Sequence, residues 1–537
     1  MDSHTQINCK HIKWRTCFPL PINQRLYWEY PARRIDETRK RLPIINPHKG
    51  NFYICPMFPY PSGEIHIGHI RNYVIADAIA RFKKQQNYNT FFPMGWDSFG
   101  LPAENAAIAH GISPQNWTDQ NIDRMKSQME ATHLDIDWDS EIKTSDPNYY
   151  RWTQMIFAEM IKRGIAYQAK ATVNYDPVEQ TVLANEQVNN DGYGKRSGAK
   201  IEYKQMKQWF INISQYAPAM IDDIEQSGQP DQVKSMQKHW LENIRDWCVS
   251  RQRYWGTPIP VVYCDSCGSQ PINETVQFPE CPEHDWENYD EIINDWADHG
   301  KCPCCGSTAK RSTETLDTFF DSSFYFYRYI DGNNDHAIAS NNKLRDWFPM
   351  NVYIGGIEHS TAHLVFARFM ARFLREIGYD IPKEPFGKVI CQGMVLGQDS
   401  QGNWSKMSKS KGNGAIAPMK LFDQYGVAAV RAFILFKAPI DQDIKWDISD
   451  IKGIKRFINK VASIEISGKT DIDESLEINI RDYYRRWKTE MNHYRFNTAI
   501  STVMKFYKII QSAPKSKSRD RGIRIIRQMM IPFIGKF

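Results

Sequence analysis

The chain has 537 residues, of which 42% are apolar, 13% aromatic and 24% charged. This composition is that of a globular protein and excludes a disordered one, and the length corresponds to roughly three or four domains. No apolar run approaches the about 18 residues that span a bilayer, and the first residues, Met1 to His4, do not open a signal peptide. We therefore expect a cytoplasmic protein with no membrane partner.

The net charge of +6 is unevenly distributed along the chain. Residues 505–537 contain nine basic residues and one acid, so this segment carries +8 and residues 1–504 carry −2. A basic segment on a nearly neutral body is typical of a contact with the phosphate backbone of a nucleic acid. A solvated helix face with a flexible tail would have the same charge.

The first clear elements follow an irregular N-terminal extension, residues 1–50. An apolar run from Phe52 to Met57 predicts a strand, and a Pro- and Gly-rich loop, residues 59–63, follows it. Apolar residues spaced four apart predict a helix over residues 66–86, and residues 90–93 predict a second strand. This βαβ order favours a parallel sheet, which binds ligands beyond the carboxyl ends of its strands.

Four of the eleven cysteines form two knuckles, Cys264-Asp265-Ser266-Cys267-Gly268 and Cys302-Pro303-Cys304-Cys305-Gly306. In each knuckle a tight turn lets two thiolates reach one ion, and two such pairs complete the tetrahedral four-sulfur site of structural Zn²⁺. We predict that Cys264, Cys267, Cys302 and Cys305 bind Zn²⁺ in a module over residues 257–312. Alternative ligands in the same segment are Cys304, Cys281 and His284.

The second half of the chain contains another strand-to-helix pattern. Residues 352–356 predict a strand, and a helix is predicted over residues 358–377. Apolar helices are predicted over residues 420–436 and 450–465, and one amphipathic helix over residues 478–511.

Two short motifs indicate the chemistry of the protein. His66-Ile67-Gly68-His69 places two imidazoles at a helix N-terminus, where N–H groups and the helix dipole favour an anion, and Gly68 leaves room for a nucleotide base or phosphate. Lys406-Met407-Ser408-Lys409-Ser410 places two lysines on a Ser- and Gly-rich loop that can close over a triphosphate. Together the motifs predict an ATP site built from both halves of the chain.

These motifs and several others, in this order, resemble the class I aminoacyl-tRNA synthetases, and more specifically the leucyl-tRNA synthetases. The resemblance covers about residues 50–505, and its other matching segments are residues 59–63, 94–104, 181–187, 250–256, 317–323, 353–359 and 392–395. It implies an α/β fold: a Rossmann-like parallel-sheet catalytic domain with a small zinc-ribbon insertion and a truncated C-terminal α-helical bundle. The implied domains are an extension (1–50), the first catalytic half (51–256), the zinc ribbon (257–312), the second catalytic half with the lysine loop (313–450) and the helical bundle (451–537).

The resemblance also implies an ATP-dependent ligase that activates leucine as leucyl-adenylate and transfers it to tRNA(Leu), with Mg²⁺ accompanying the ATP. The catalytic residues that it implies are His66, His69, Lys406 and Lys409. These four also bind ATP in this view, together with Gly68, Gly355, Gly356, Glu358 and the backbone of Met394. Leucine would be bound by Asp97 at its ammonium and by Met57, Phe58, Tyr60, His359 and His363 around its side chain. We expect a monomer.

The chain departs from the family in the parts that handle tRNA. Only four residues separate Met236-Gln237-Lys238-His239-Trp240 from Arg245-Asp246-Trp247, where the family carries an editing domain. We therefore expect no editing in cis and misactivation of isoleucine, methionine, valine or norvaline. From the resemblance we also expect the protein to lack the family's C-terminal tRNA-binding domain. Three hypotheses follow: a minimal leucyl-tRNA synthetase that contacts tRNA through its basic C-terminal segment, a leucine-activating enzyme with another acceptor, and a non-catalytic paralogue that senses leucine or ATP.

Overall fold

The computed structural model describes residues 49–183, 187–189, 191–195, 197–280, 289–357, 362–407 and 417–536. The strands are β1 (Asn51–Pro56), β2 (Asn89–Phe91), β3 (Gly95–Trp96), β4 (Ile142–Lys143), β5 (Ala166–Asp176), β6 (Thr181–Leu183), β7 (Glu202–Ile211), β8 (Trp247–Cys248), β9 (Ser250–Arg251), β10 (Val261–Cys264), β11 (Gly268–Pro271), β12 (Lys310–Arg311), β13 (Thr315–Leu316), β14 (Val352–Gly356), β15 (Val389–Gln392), β16 (Val395–Gln398), β17 (Trp404–Lys406) and β18 (Ile444–Lys445). The α-helices are α1 (Ile67–Gln85), α2 (Leu101–His110), α3 (Pro114–Ala131), α4 (Pro147–Lys162), α5 (Ala217–Gln226), α6 (Asp231–Glu242), α7 (Tyr289–Asp298), α8 (Thr318–Ser322), α9 (Tyr325–Tyr329), α10 (Asn341–Trp347), α11 (His363–Glu376), α12 (Pro418–Tyr425), α13 (Val427–Lys437), α14 (Ile451–Ser463), α15 (Glu474–Asn492), α16 (Phe496–Ser512) and α17 (Lys517–Ile534).

Four strands form a parallel sheet with the strand order β15-β14-β1-β2. The helix α1 connects β1 to β2, so the predicted βαβ unit is confirmed. Segments that are far apart in sequence meet at the pairing of β1 with β14, where the Tyr53 N–H donates to Asn351 Oδ1 at 2.7 Å across 298 positions of sequence. The predicted α/β class with a parallel sheet and C-terminal helices is therefore confirmed.

The helix α1 is buried on most sides, because Tyr73, Ile75 and Ile79 are buried in addition to the predicted apolar face of Ile70, Val74, Ala78 and Phe82. Asp77 is also fully buried on this helix, and it forms ion pairs with Arg81 and Arg431. The pair with Arg431 joins α1 to α13. A buried carboxylate is tolerated here because two guanidinium groups and a backbone N–H satisfy it.

The last helix, α17, packs directly on the catalytic region. Its Met529, Met530 and Phe533 are fully buried in the same apolar core as α1, and the Arg81 guanidinium donates to the Gly535 carbonyl at 2.9 Å. Burial of each such side chain stabilises the fold by about 1.5–3 kcal/mol. The C-terminal helices and the parallel sheet therefore share one hydrophobic core.

Three predicted helices differ from the observed ones. The single helix predicted over residues 478–511 is wrong, because α15 ends at Asn492 and α16 begins at Phe496, with Tyr494 between them in the left-handed region at φ +57°. The helix predicted over residues 420–436 is likewise two helices, which meet at Gly426 with φ +85°. The helix predicted from residue 358 begins at His363 in the described part of the chain. No helix within the described ranges is long and apolar enough to cross a membrane.

Candidate active site

The carboxyl edge of the parallel sheet borders a cavity of about 880 Å³. The predicted site residues that line it are Met57, Phe58, Tyr60, His66, Gly68, His69, Asp97, Gly356, His363, Met394 and Lys406. Gly355 lies beside Gly356 in β14, and a Cβ on it would be 3.8 Å from Met57 Cβ. Glu358, His359 and Lys409 lie outside the described residues. The fold thus brings the histidine motif and Lys406 to one cavity, as the sequence predicts.

The two histidines cap the N-terminus of α1 reciprocally. The His69 N–H donates to His66 Nδ1 at 3.2 Å, and the His66 N–H donates to His69 Nδ1 at 3.3 Å. The two rings stack with centroids 3.7 Å apart. Because both Nδ1 atoms accept hydrogen bonds, the neutral tautomer that fits this geometry carries its proton on Nε2 in each ring. The pair therefore supplies N–H donors suited to phosphate oxygens at a helix N-terminus.

Charge in this part of the cavity comes from Lys406 and not from His69. Burial, with smaller contributions from His66 and Lys406, lowers the pKa of His69 to about 3. His69 is thus neutral at physiological pH and acts as a hydrogen-bond donor. Lys406 ends β17, whose antiparallel pairing with β16 fixes it opposite Leu396. Its ammonium is suited to the charge that develops on a leaving phosphate.

Gly68 is required by the histidine pair itself. A Cβ at this position would lie 2.9 Å from Cε1 and 3.0 Å from Nδ1 of His66. Both distances are shorter than ordinary contacts between side chains. The absence of a side chain at Gly68 therefore allows the His66 ring to turn back over the helix and make its capping bond.

Asp97 places a buried carboxylate in the cavity wall. Its side chain is 2% exposed, and its Oδ1 has no hydrogen-bond partner among the described residues. Burial, followed by the nearby Asp321, raises the pKa of Asp97 well above its ordinary value, while the adjacent Tyr60 hydroxyl opposes this shift. The Asp97 N–H donates to the Pro59 carbonyl at 3.0 Å, which ties the carboxylate to the loop after β1. A buried acceptor of this kind is suited to a cationic group of a ligand.

Aromatic rings form the wall beside Asp97. Phe58 stacks on Tyr325 with ring centroids 3.8 Å apart and planes 6° from parallel. The His363 ring, at the start of α11, lies 5.7 Å from the Tyr353 ring and 5.9 Å from the Tyr325 ring. Tyr325, Tyr353 and Phe319 also line the cavity and were not among the predicted site residues. Tyr353 could have been identified, because it lies within the Tyr-Ile-Gly-Gly segment that supports the resemblance.

Met394 also lines the cavity, and its backbone N–H and carbonyl already form hydrogen bonds. Its N–H donates to Asp443 Oδ1 at 2.7 Å, and its carbonyl accepts from the Ile444 N–H at 2.8 Å and from Arg71 at 3.0 Å. The residue as a whole remains 40% exposed. The contact of its backbone with a nucleotide base stays a prediction. Such a contact would have to use an N–H or a carbonyl group that already forms a hydrogen bond within the protein.

The four predicted cysteines form a cluster in the described chain, away from this cavity. The Sγ atoms of Cys264, Cys267, Cys302 and Cys305 all lie within 4.8 Å of one another, and those of Cys264 and Cys305 are 3.6 Å apart. Tetrahedral Zn–S bonds of about 2.3 Å place the sulfur atoms about 3.8 Å apart. Each knuckle closes on a glycine with positive φ, Gly268 or Gly306. The predicted grouping is confirmed, and its donor set and spacing fit Zn²⁺.

Comparisons with known proteins agree with this architecture. Residues 41–447 match the family model of tRNA synthetases class I (I, L, M and V). The leucine–tRNA ligase of Crocosphaera subtropica is 31% identical over 754 aligned positions, and that of Rippkaea orientalis is 30% identical over 757; each alignment covers 95% of this chain and 88% of the relative. The solved LeuRS of Agrobacterium radiobacter, in a ternary complex with tRNA and LeuAMS, has a TM-score of 0.80 at 27% identity and covers 92% of this chain and 84% of its own.

The family match runs from before β1 to beyond β18, so it contains the histidine pair, Asp97 and the Lys406 hairpin whose geometry is described above. This chain belongs to the class I tRNA synthetases and is an aminoacyl-tRNA ligase.

Proposed function

We propose that the protein is a leucine–tRNA ligase that activates leucine with ATP and transfers it to tRNA(Leu) in the cytoplasm. The observation that carries the proposal is the convergence of two kinds of group on one cavity. The two imidazoles as N–H donors and Lys406 suit the phosphates, and the buried Asp97 carboxylate beside an aromatic wall suits an apolar amino acid. The relatives named as leucine–tRNA ligases support leucine as that amino acid.

In the first step, a leucine carboxylate oxygen attacks the α-phosphorus of ATP. An O–P bond forms, and the bond from the α-phosphorus to pyrophosphate breaks. His66, His69 and the N-terminus of α1 hold the phosphates by N–H donation, and Lys406 stabilises the charge that gathers on pyrophosphate. Lys409, which lies outside the described residues, would add a second positive charge.

Mg²⁺ would enter this site with the triphosphate. The acidic residues among the described lining of the cavity are Glu64 and Asp97. Mg²⁺ in nucleotide sites is commonly held by phosphates, waters and few carboxylates. When bound, the ion neutralises phosphate charge. Since Asp97 is assigned to the ammonium of leucine, Glu64 is the other described carboxylate of the cavity lining that would hold such an ion.

Asp97 would bind the leucine ammonium through a charge-assisted hydrogen bond. Such a bond contributes about 1.5–3 kcal/mol, which corresponds to about 10- to 150-fold in affinity. We expect Asp97→Asn to raise the KM for leucine by about this factor while the KM for ATP changes less than about twofold. An equal rise in both KM values would show that Asp97 supports the cavity as a whole and does not bind the ammonium.

In the second step, a ribose hydroxyl of the tRNA terminus attacks the leucyl carbonyl and AMP leaves. Some of the basic side chains in residues 505–537 already donate hydrogen bonds within the protein. Arg519 donates to the carbonyls of Ile510 and Glu465, and Arg527 to those of Ala462 and Ile464 at the end of α14. A tRNA contact therefore rests on the exposed basic residues of this region, which are Lys505, Lys508, Lys515, Lys517, Arg521, Arg524 and Lys536; of these, Arg521 forms an ion pair with Glu477.

We further propose that the protein does not edit in cis. The helix α6 ends at Glu242 and β8 begins at Trp247, so the chain turns directly from one to the other. The alignment with the Crocosphaera relative spans 754 positions, 217 more than this entire chain, so that relative has internal segments without a counterpart here. A binding pocket alone distinguishes side chains that differ by a methylene by only about 1–3 kcal/mol. Misactivated amino acids would then remain on the tRNA.

Two assays on one preparation test the function. Leucine-dependent exchange between pyrophosphate and ATP measures the first step, and attachment of labelled leucine to total tRNA measures the second. We expect both activities. Exchange without attachment would replace the proposal with a leucine-activating enzyme that has another acceptor, and the absence of both would leave a non-catalytic protein.

A further inference from the structure

A single buried arginine joins the phosphate-binding helix to the loops on the other side of the cavity. Arg71 lies in α1, two residues after His69, and is 1% exposed. Its Nη1 donates to the carbonyls of Gly393 at 2.6 Å and Met394 at 3.0 Å, and its Nη2 to those of Pro439 at 3.2 Å, Ile440 at 3.3 Å and Gln442 at 2.6 Å. All five acceptors are backbone carbonyls of two separate loops.

One of the loops that Arg71 joins lines the cavity, and the other leads into the strands that present Lys406. Residues 393–394 follow β15 and line the cavity, whereas residues 439–442 precede β18. The strand β18 pairs in parallel with β16, and β16 pairs with β17, which ends at Lys406. One guanidinium therefore connects the helix of the histidine pair to the sheet that presents Lys406.

The two loops are in direct backbone contact, and two further residues maintain this contact. A Cβ on Gly393 would lie 2.2 Å from both the carbonyl carbon and the oxygen of Gln442, so no side chain fits there. The Gly393 N–H donates to the Ile440 carbonyl at 3.0 Å, and Asp443 accepts from the Met394 N–H at 2.7 Å. Arg71, Gly393 and Asp443 together form a unit that we call the loop clamp.

We propose that Arg71 is a positioning residue for ATP, which holds the Met394 loop and the Lys406 hairpin at a fixed separation from His66 and His69. The planar guanidinium can donate to both loops at once, whereas a lysine ammonium is a compact point charge. In the proposed function, leucine is bound by Asp97 and the aromatic wall, and none of the hydrogen bonds of the clamp named above goes to those residues. The proposal depends on the proposed function in taking ATP as the substrate of this cavity.

The test compares Arg71→Lys with Arg328→Lys in leucine-dependent pyrophosphate exchange. Arg328 is a matched control, because it is 2% exposed and donates only to backbone carbonyls, those of Asp331, Gly332, Asn334, Ala337 and Ile338. It does not line the cavity. We expect Arg71→Lys to raise the KM for ATP by about tenfold or more and the KM for leucine by less than about twofold. The control should leave the ratio of the two KM values unchanged, whatever it does to the melting temperature.

Asp443→Ala perturbs the same clamp with Arg71 intact, because it removes the acceptor of the Met394 N–H, and the exposed position of Asp443 makes it the variant to use if Arg71→Lys does not fold. It should also raise the KM for ATP selectively. An unchanged KM for ATP in either folded variant, or equal rises in both KM values, would overturn the role of Arg71. Absence of exchange in the wild-type protein would instead contradict the proposed function, so the two failures are distinguishable.

Discussion

The substitution Gly68→Ala should disturb the geometry of the histidine pair and leave the stability of α1 nearly unchanged. The added Cβ would lie 2.9 Å from His66 Cε1 and 3.0 Å from Nδ1. Carbon atoms pack best at about 3.5–4.0 Å, so the imidazole has to move by about 0.5–1 Å or rotate. Either response breaks the reciprocal bonds between His66 and His69.

The expected magnitudes for stability and for activity differ. Loss of an N-cap costs about 1 kcal/mol of stability, whereas alanine in place of glycine within a helix gains about 1 kcal/mol. The two nearly cancel. A displaced His66 loses a hydrogen bond to a charged phosphate, worth about 1.5–3 kcal/mol, so kcat/KM for ATP should fall by about 10- to 150-fold.

The assay is pyrophosphate exchange at saturating leucine, together with the melting temperature of each protein. Gly453→Ala is a suitable control, because Gly453 lies in α14 and a Cβ there would meet nothing within 4 Å. We expect the control to keep its activity and to melt at the same or a higher temperature. The reasoning would be refuted if Gly68→Ala kept the kcat/KM for ATP of the wild-type protein. It would also be refuted if the variant lost activity only because it was unfolded at the assay temperature.

Three further predictions concern other parts of the molecule. The purified protein should contain one equivalent of zinc, measured by atomic emission. Cys302→Ser should lose the zinc, whereas the control Cys248→Ser should keep it. A zinc-free wild-type protein would contradict the assignment of the four cysteines to a zinc site. Asp321 is fully buried, and burial raises its pKa to about 7 from the ordinary 3.8. Its folded-state pKa lies above the unfolded one, so stability falls as pH rises from about 4 to 7, by at most about 4 kcal/mol. Asp321→Asn should remove this part of the pH dependence of unfolding, and an undiminished dependence would contradict the assignment. Finally, isoleucyl-tRNA(Leu) should be hydrolysed no faster with the protein than in buffer, and faster hydrolysis would reveal editing.

The parts of the fold predictable from sequence are those with strong local patterns. The β1–α1–β2 unit follows from apolar spacing and a Pro- and Gly-rich loop, and the cysteine cluster follows from two knuckles. The break at Tyr494 was missed because Asn492-His493-Tyr494-Arg495 contains neither glycine nor proline. A left-handed tyrosine is uncommon, and tertiary packing of α15 against α16 selects it.

The cavity lining was predictable where a motif marks it, and the roles of the lining residues stay predictions. His66, His69, Asp97 and Lys406 meet in one cavity, as the motifs imply. Arg71 could not be identified from sequence, because its five partners are backbone carbonyls and leave no side-chain pattern. The internal use of Arg519 and Arg527 was missed for the same reason, so charge counting overstated the free positive charge of the C-terminal segment.

The most direct test of the proposed function is the amino-acid dependence of pyrophosphate exchange in the wild-type protein. Leucine should support exchange with the highest kcat/KM, and isoleucine, methionine, valine and norvaline should support it measurably, at values about 10- to 200-fold lower. A higher kcat/KM for any other amino acid, or no exchange with leucine, would contradict the assignment of this cavity to leucine activation.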